Sequence, residues 1–511
     1  MKGKSYILAI LVLLFVSLTT AAQDMNVRQG CRRGTPRQQN TNLLRRGAQG
    51  GQPKRTGGNF YHGERHQLTV LVSFTDLKFQ NDEAQTLTKW NNILNATDYS
   101  EGNYVGSVHD YFNAQSYEQF NLVFDVHYIE LENSIKKYRS WDTQYYDRET
   151  GEDSADDDEN SQYLVNDIMD VLQTQDIDWN LYDWDGDGFV NQLLIIYAGM
   201  GMNDGGGKNS IWAHQWWLSE HLKDRQKDVY CEPRTVTNGD GRQFTVDCYC
   251  ATPELKGKNA TFGTLCHEFS HCFGLPDFYY GGSSFVGSWD LMDRGNYNGG
   301  GYCPAAYSAH ERWLMGWLEP VELSAAATIT DMPVLNNKPA AYLIRNDNYA
   351  NEYYIVENRQ QHGWDASTEG RGLLIFHIDY DDALWCGTEG YVNSPQYQHY
   401  TLFHANNLSS TSGWPYPYND NNELTNTSSP KASLLHENAD GTKLMSKPIT
   451  NISINSDGLA AFDFMGGSTD IQTVEHKKLT NDFNYYNLTG QRIMKPQRGI
   501  YIVNGRKVAL K

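Results

Sequence analysis

The stretch TLCHEFSHCFGLPDF, residues 264–278, carries side chains able to hold a metal ion. His267 and His271 are four residues apart, so on a helix they share one stripe, a turn apart. Two imidazoles at that spacing can bind one Zn2+, with Glu268 beside the first placed to act on a water molecule at the metal. Phe262, Leu265, Phe269 and Phe273 recur at spacings of three and four on another face. The helix can therefore bury one side and turn its histidines into a cleft. Gly274 permits the left-handed turn that ends a helix, and Pro276 forbids its continuation. The chain can then double back and offer Asp277 as third ligand, which leaves one coordination position for water. Glu311, on a later helix-like segment, is the rival third ligand. The chemistry that follows is hydrolysis of a peptide bond, with Glu268 as general base that later protonates the leaving amine. Met292, in the glycine-rich GSWDLMDRGNYNGG (287–300), has the place of the methionine turn under a metzincin-type site. Tyr297, just beyond it, is a candidate phenol for stabilising the oxyanion.

A second constellation is DWDGDGFVN. Asp183, Asp185 and Asp187 alternate, Gly188 allows a sharp turn, and Asn191 falls at position nine, as at the start of an EF-hand loop. Position twelve is Leu194 rather than glutamate, so the loop is not a full EF-hand, but it is a candidate structural Ca2+ site. The acidic run 147–160 reads as solvated loop, and His214 as a buried histidine rather than a ligand.

The chain that must position these groups has 511 residues and a net charge of −20, which argues against nucleic acid as partner because phosphate repels an acidic surface. Residues 1–22 have the form of a signal peptide: Lys2 and Lys4, a short apolar run over 6–18, and Thr20-Ala21-Ala22 for cleavage. No later apolar run is long enough to span a membrane. The expected location is secreted or at the cell surface, where disulfides among the eight cysteines could form, with no pairing deducible. Residues 23–66 carry nine Lys and Arg against Asp24 and Glu64 and read as a basic pro-segment. Cys31 within it is a candidate latency ligand, since a thiolate can take the open position on zinc.

Strand and helix signals then alternate: strand over 68–74, helices over 86–95 and 107–116, strand over 120–131, helix over 163–173, strand over 191–199. This predicts an α/β (α+β) catalytic domain with a mixed sheet over 67–319, ending in a helix over 304–317. Short strand signals at 341–345, 352–359, 372–380, 400–404 and 459–465 predict an all-β, sandwich-like accessory domain over 320–466. Residues 467–511 follow a Gly-Gly-Ser linker and form a basic, hairpin-like tail.

The chain resembles the immune inhibitor A family of secreted zinc metallopeptidases. The likeness rests on His267, Glu268, His271, Gly274 and Asp277, on LPDFY and WDLMD, and on SVHDYFNAQS, WDGDGFVNQLLIIYAG and IWAHQW upstream. YYIVENRQQHGWD and GRGLLIFHIDYD are similar to the family's companion β domain. The resemblance covers about 66–466 and implies a metzincin-like zinc endopeptidase acting on protein or peptide substrates, with calcium as stabiliser. The final GIYIVNGRKVALK resembles the sorting tails read by type IX secretion machinery. Two other readings stay open: a gluzincin-type peptidase using Glu311, and a non-catalytic, calcium-dependent surface adhesion protein.

Overall fold

The apolar run Leu68–Ser73 forms the middle of a sheet because alternate side chains find a helix layer on each face. The computed structural model describes residues 61–139, 160–207, 209–219, 232–385 and 391–467, together with short strands beyond 484. Strand β1 (Gly63–Ser73) pairs in parallel with β2 (Phe120–Glu130) over its whole length, from Gly63 opposite Phe120 to Ser73 opposite Glu130. On its other side β1 pairs in parallel with β3 (Leu193–Met200), Thr69 opposite Leu194. β3 pairs in parallel with the later strand Cys248–Leu255, whose far edge carries the antiparallel strand His214–Trp217. In chain order the last two are β4 (His214–Trp217) and β5 (Cys248–Leu255), and the sheet reads β2-β1-β3-β5-β4. β1 begins four residues inside the segment expected to be leader; Glu64, Arg65 and His66 are polar and conceal the strand's start.

Parallel strands must be covered on both sides. Leu68, Val70 and Val72 meet helix α3 (Ser161–Leu172) through Leu164, Val165, Ile168 and Leu172. Leu71, Leu122, Phe124, Leu194 and Ile196 face the opposite layer, built from α1 (Glu83–Asn95), α2 (Val108–Gln115) and α4 (Phe262–Cys272). α1 starts where the Asp82 carboxylate accepts from the Gln85 N–H at 2.9 Å, and α2 opens with a capping box between Ser107 and Asp110. The helix expected over 304–317 is shorter, α5 (Ala309–Leu314). The Ser308 hydroxyl accepts from the Glu311 N–H and the Glu311 carboxylate accepts from the Ser308 N–H, which fixes the helix start there.

Beyond α5 the strands expected from sequence are all present. One sheet contains β6 (Val321–Glu322), β8 (Ala341–Arg345), β9 (Glu352–Arg359), β10 (Gly372–Asp379) and β11 (Tyr400–Leu402), in the order β11-β10-β9-β8-β6. A second contains β7 (Ala327–Met332), β12 (Ile449–Ile454) and β13 (Ala460–Phe464). Every residue of β9 and β10 is buried. The reason is that Leu343, Ile355, Leu374 and Phe376 join the same apolar cluster as Phe278, Leu291, Met292 and Trp313. The boundary near 320 thus separates an α/β half from an all-β half without dividing the core. Residues Met1–Thr473 fall in one compact unit and Val474–Lys511 in another. In the second unit Gly499–Val503 pairs antiparallel with Arg506–Leu510, the hairpin expected of the tail. The signal segment, Cys31 and most of the basic leader, and all but Asn160 of the 147–160 run lie outside the described residues. Among the described residues no helix is long and apolar enough to cross a membrane.

The described cysteines Cys248, Cys250, Cys266, Cys272 and Cys303 are unpaired thiols, four of them fully buried. They pack as small apolar groups rather than as disulfide partners.

Candidate metal centre

Helix α4 is seated by its aromatic face. Phe269 and Phe273 meet Phe112 at centroid distances of 5.5 and 5.3 Å, Phe124 meets Phe269 at 5.9 Å, and Phe120 meets Phe273 at 5.7 Å. At its start Gly263 lets the Gly295–Gly301 turn approach. A Cβ there would lie 1.9 Å from the Asn296 carbonyl oxygen. At its end Gly274 takes φ +93°, with its N–H bonded to the His271 carbonyl at 2.8 Å and the Leu275 N–H to the Ser270 carbonyl at 3.4 Å. This is a Schellman turn, and it does more than stop the helix. It aims the Leu275 carbonyl at His271 Nδ1, 2.7 Å away, and brings Asp277 back over the helix.

His267 Nδ1 is held in the same way by the Leu291 carbonyl at 2.8 Å. A carbonyl can only accept, so Nδ1 of each ring carries a proton, and Nε2 is the nitrogen left to bind a metal once any proton it holds is displaced. Both Nε2 atoms face one oxygen: Asp277 Oδ1 lies 3.2 Å from His267 Nε2 and 3.4 Å from His271 Nε2. Three N and O ligands at zinc bond lengths on a tetrahedron stand about 3.3–3.4 Å apart. His271 Nε2 and Asp277 Oδ1 are buried without a hydrogen-bond partner, so the donor set fits a cation between its members. Glu268 is buried beside them, its carboxylate within 4.8 Å of both imidazoles. Burial disfavours charge on both rings. At His267 the carboxylates of Asp277 and Glu268 outweigh it and push the pKa up to about 9, whereas His271 stays lowered. The two buried carboxylates therefore draw positive charge into the site.

The turn that carries Met292 adjoins the histidines, since its Leu291 carbonyl bonds His267. Met292 is buried, its carbonyl accepts from the Phe278 N–H at 2.9 Å, and its N–H donates to Asp290 Oδ1 at 2.8 Å. One residue earlier is the Leu291 carbonyl that orients His267. Asp293 Oδ2 accepts from the N–H groups of Phe285, Val286 and Gly287, which ties the turn to the loop before it. Asp290 Oδ2 also accepts from the Tyr400 hydroxyl of β11 at 3.0 Å. Burial pushes the carboxyls of both Asp290 and Glu311 above their ordinary values, helped at Asp290 by the charge of Asp293 and at Glu311 by that of Asp290.

Glu311 is not brought to the histidines: the capping box and the Ser308 hydroxyl, 2.9 Å away, occupy Oε2. Asp277→Ala is accordingly expected to lose zinc on dialysis, while Glu311→Ala keeps its zinc and loses helix stability. Metal analysis of the two dialysed variants separates these outcomes.

Tyr297, in the turn that packs on Gly263 at the start of α4, has 54% of its surface exposed. Burial of the phenol raises its pKa, and the carboxylates of Asp204, Glu268 and Asp277 add to this against a hydrogen bond from Asn296. The hydroxyl therefore stays protonated and can donate. His214 is buried, with Nδ1 on the Trp212 carbonyl at 2.7 Å and Nε2 near the Tyr249 hydroxyl. Burial lowers its pKa to about 4, which makes it a neutral core residue. In the acidic loop the Asp183, Asp185 and Asp187 carboxylates lie within 4.8 Å of one another. Asp183 also accepts from the N–H groups of Gly186, Asp187 and Gly188, and Asn191 braces the loop through the Trp184 N–H at 2.6 Å.

Sequence reasoning missed three features. Tyr279 stacks against His267 at 6.2 Å and 27°, and its place two residues after Asp277 was the available signal. Lys256 joins Asp204 at 3.1 Å beside α4, with nothing in the local sequence to announce it. Arg359 reaches the methionine turn from β9, donating to the carbonyl of Trp289.

A buried HExxH helix under a mostly parallel sheet, with a carboxylate returned to its histidines by a glycine turn, defines a metal-dependent peptidase. Residues 61–317, half of the chain and the whole constellation, match the family described as the immune inhibitor A peptidase M6 catalytic domain, and the chain belongs to that family. It is 24% identical over 275 residues to immune inhibitor A of Bacillus thuringiensis subsp. alesti, covering 48% of this chain and 38% of that protein. It is 30% identical over 192 residues to the pre-pro-metalloprotease PrtV of Vibrio cholerae serotype O1, covering 32% and 19%. A putative secreted metallopeptidase of Arthroderma benhamiae is 27% identical over 159 residues, covering 29% and 22%. The chain thus spans between about a fifth and two fifths of the length of these curated relatives.

Proposed function

We propose that this chain is an exported zinc endopeptidase that cleaves protein or peptide substrates, with a metzincin-like arrangement of the site. The observation that carries this reading is the convergence of His267 Nε2, His271 Nε2 and Asp277 Oδ1, each imidazole held by a backbone carbonyl. Zinc held by these three residues would supply a Lewis acid and water acidified towards a pKa of about 7. Glu268 takes the proton of the attacking water and returns it to the leaving amine. Tyr297 donates its hydroxyl to the oxyanion. Tyr279 backs His267, and Met292 fills the space beneath the turn. The protein is expected to digest a denatured protein mixture, to stop when zinc is chelated, and to resume when zinc returns. Cleavage that persists after the metal is stripped would overturn the reading. The adhesion alternative has less support, since a binding module has no use for Glu268 beside a complete ligand set. The gluzincin alternative has less support, since the Ser308 cap engages Glu311 Oε2.

The remaining assignments extend the same proposal. Residues 1–22 would be removed on export, 23–66 would act as pro-segment, 67–319 as catalytic domain, 320–466 as a sandwich-like accessory domain, and 467–511 as a tail read by secretion machinery. Cys31 would act as latency ligand: protein that retains residues 23–66 would be inactive, and Cys31→Ala active without cleavage.

The Asp183–Asp187 loop would hold a structural Ca2+. Trp184 from this loop packs on Phe273 at the end of α4 and donates to the His66 carbonyl, so ordering the loop steadies the zinc helix. An ion bound only by the folded chain at 100 times its Kd stabilises it by about 2.7 kcal/mol. Adding calcium to zinc-loaded protein is expected to raise Tm by a few degrees. The paired change Asp185→Asn with Asp187→Asn should abolish that response. A wild-type melting curve indifferent to calcium would make the loop a plain turn.

A further inference from the structure

We propose that Lys256 is a positioning residue that holds the Tyr297 ring over the metal centre; this rests on the reading of Tyr297 as oxyanion donor given above. Lys256 directly follows β5. Its ammonium lies 3.1 Å from Asp204, 2.8 Å from the Thr264 hydroxyl and 4.5 Å from the centre of the Tyr297 ring. The side chains of both Lys256 and Asp204 are only 8% exposed. An ammonium has three donors, and here they are matched by a carboxylate, a hydroxyl and a π face. Asp204 neutralises the buried charge, so the cation is held in place rather than offered to an anionic ligand.

Its location gives this cluster a consequence for chemistry. Thr264 stands three and four residues before His267 and Glu268, on the same stripe of α4 one turn earlier. Lys256 therefore lies at the N-terminal end of the stripe that carries the ligands and the base. Tyr297 comes from a turn with four glycines in its seven residues, Gly295–Gly301. The backbone of this turn is fixed by the Ala260 N–H on the Gly300 carbonyl at 2.9 Å and by the approach of Asn296 to Gly263. The ring itself is half in solvent. The ammonium beneath it restricts how the ring can turn, and so where the phenol hydroxyl points.

The test uses the full chain, with kcat and KM on a quenched fluorescent peptide and with zinc content and Tm measured in parallel. Lys256→Met is expected to lower kcat about tenfold, the scale of one cation–π contact, while KM changes less than about twofold. Lys256→Arg, which keeps a cation for the ring and for Asp204, should recover most of that loss. In a Tyr297→Ala background Lys256→Met should cost nothing more. Should Lys256→Met fold poorly, Lys256→Gln, which keeps hydrogen bonding and loses the charge, is read in the same way. Full kcat in Lys256→Met, a change confined to KM, or losses that multiply in the double variant would each overturn the proposal. Normal kcat in Tyr297→Ala would instead refute the donor role of Tyr297, and the positioning role with it.

Discussion

Glu268→Gln is expected to leave zinc bound and lower peptide cleavage by roughly 10²- to 10⁴-fold, the share that a general base contributes. The substitution is nearly isosteric, and Glu268 is buried in a helix whose described residues are packed on every side, so the fold has no reason to change. His267, His271 and Asp277 keep their places because the Leu291 and Leu275 carbonyls and the Gly274 turn set them without help from Glu268. Zinc content and Tm should therefore match the parent while kcat falls, with KM little altered. Equal zinc with near-normal turnover would remove Glu268 from the mechanism. Lost zinc would show instead that Glu268 acts as a ligand. The adhesion alternative makes the opposite forecast, since binding to a surface would survive the substitution and no turnover would exist to lose.

The proposed ligand set could be read from the sequence because it is local. His267, Glu268, His271, Gly274 and Asp277 span eleven residues, and the geometry of one helix and one turn links them. The strands β1, β9 and β10 were legible because burial on both faces leaves long apolar runs, and β2, at the sheet's edge, because its buried positions alternate along Phe120–Phe124. What holds the site was not legible, since it comes from far along the chain. The carbonyl that orients His267 belongs to Leu291, and a backbone acceptor leaves no mark in residue type. The start of α5 was misjudged because PAAYSAHERWLMGW has apolar spacing throughout, and only the Ser308–Glu311 cap fixes where the helix begins. The pattern changes near 320, where α5 gives way to short strands. That both halves bury apolar surface in one core depends on contacts such as Phe278 stacked on Tyr400, 122 residues apart, at 3.9 Å.

Arg359→Met is expected to destabilise the protein by about 3–5 kcal/mol, the cost of breaking a buried charged network by removing one partner. Arg359 has no exposed surface. Its Nε donates to Asp365 Oδ2 at 2.6 Å and Nη1 to Glu357 Oε1 at 3.0 Å. Nη2 reaches Asp365 Oδ1, the Ala306 carbonyl at 3.0 Å and the Trp289 carbonyl at 3.4 Å. Burial alone would weaken the charge; the carboxylates of Asp365 and Glu357 outweigh it and hold the guanidinium firmly protonated. Methionine would leave both carboxylates buried without their cation and release two carbonyls. One of these, at Trp289, is two residues before the Leu291 carbonyl that orients His267, so the loss should reach the metal centre. Over the roughly 400 residues that share this core the cost corresponds to a fall in Tm of roughly 5 °C, with zinc dissociating faster on dialysis. Arg359→Lys should recover little of it, because an ammonium cannot span two carboxylates and two carbonyls as the planar fork does. Adding Glu357→Gln and Asp365→Asn to Arg359→Met should restore part of the stability by removing the uncompensated charge. An Arg359→Met protein with the parent's Tm and zinc retention would show that the β half does not support the site through this residue. A lower Tm with unchanged zinc retention would confine the network to the core between the two halves.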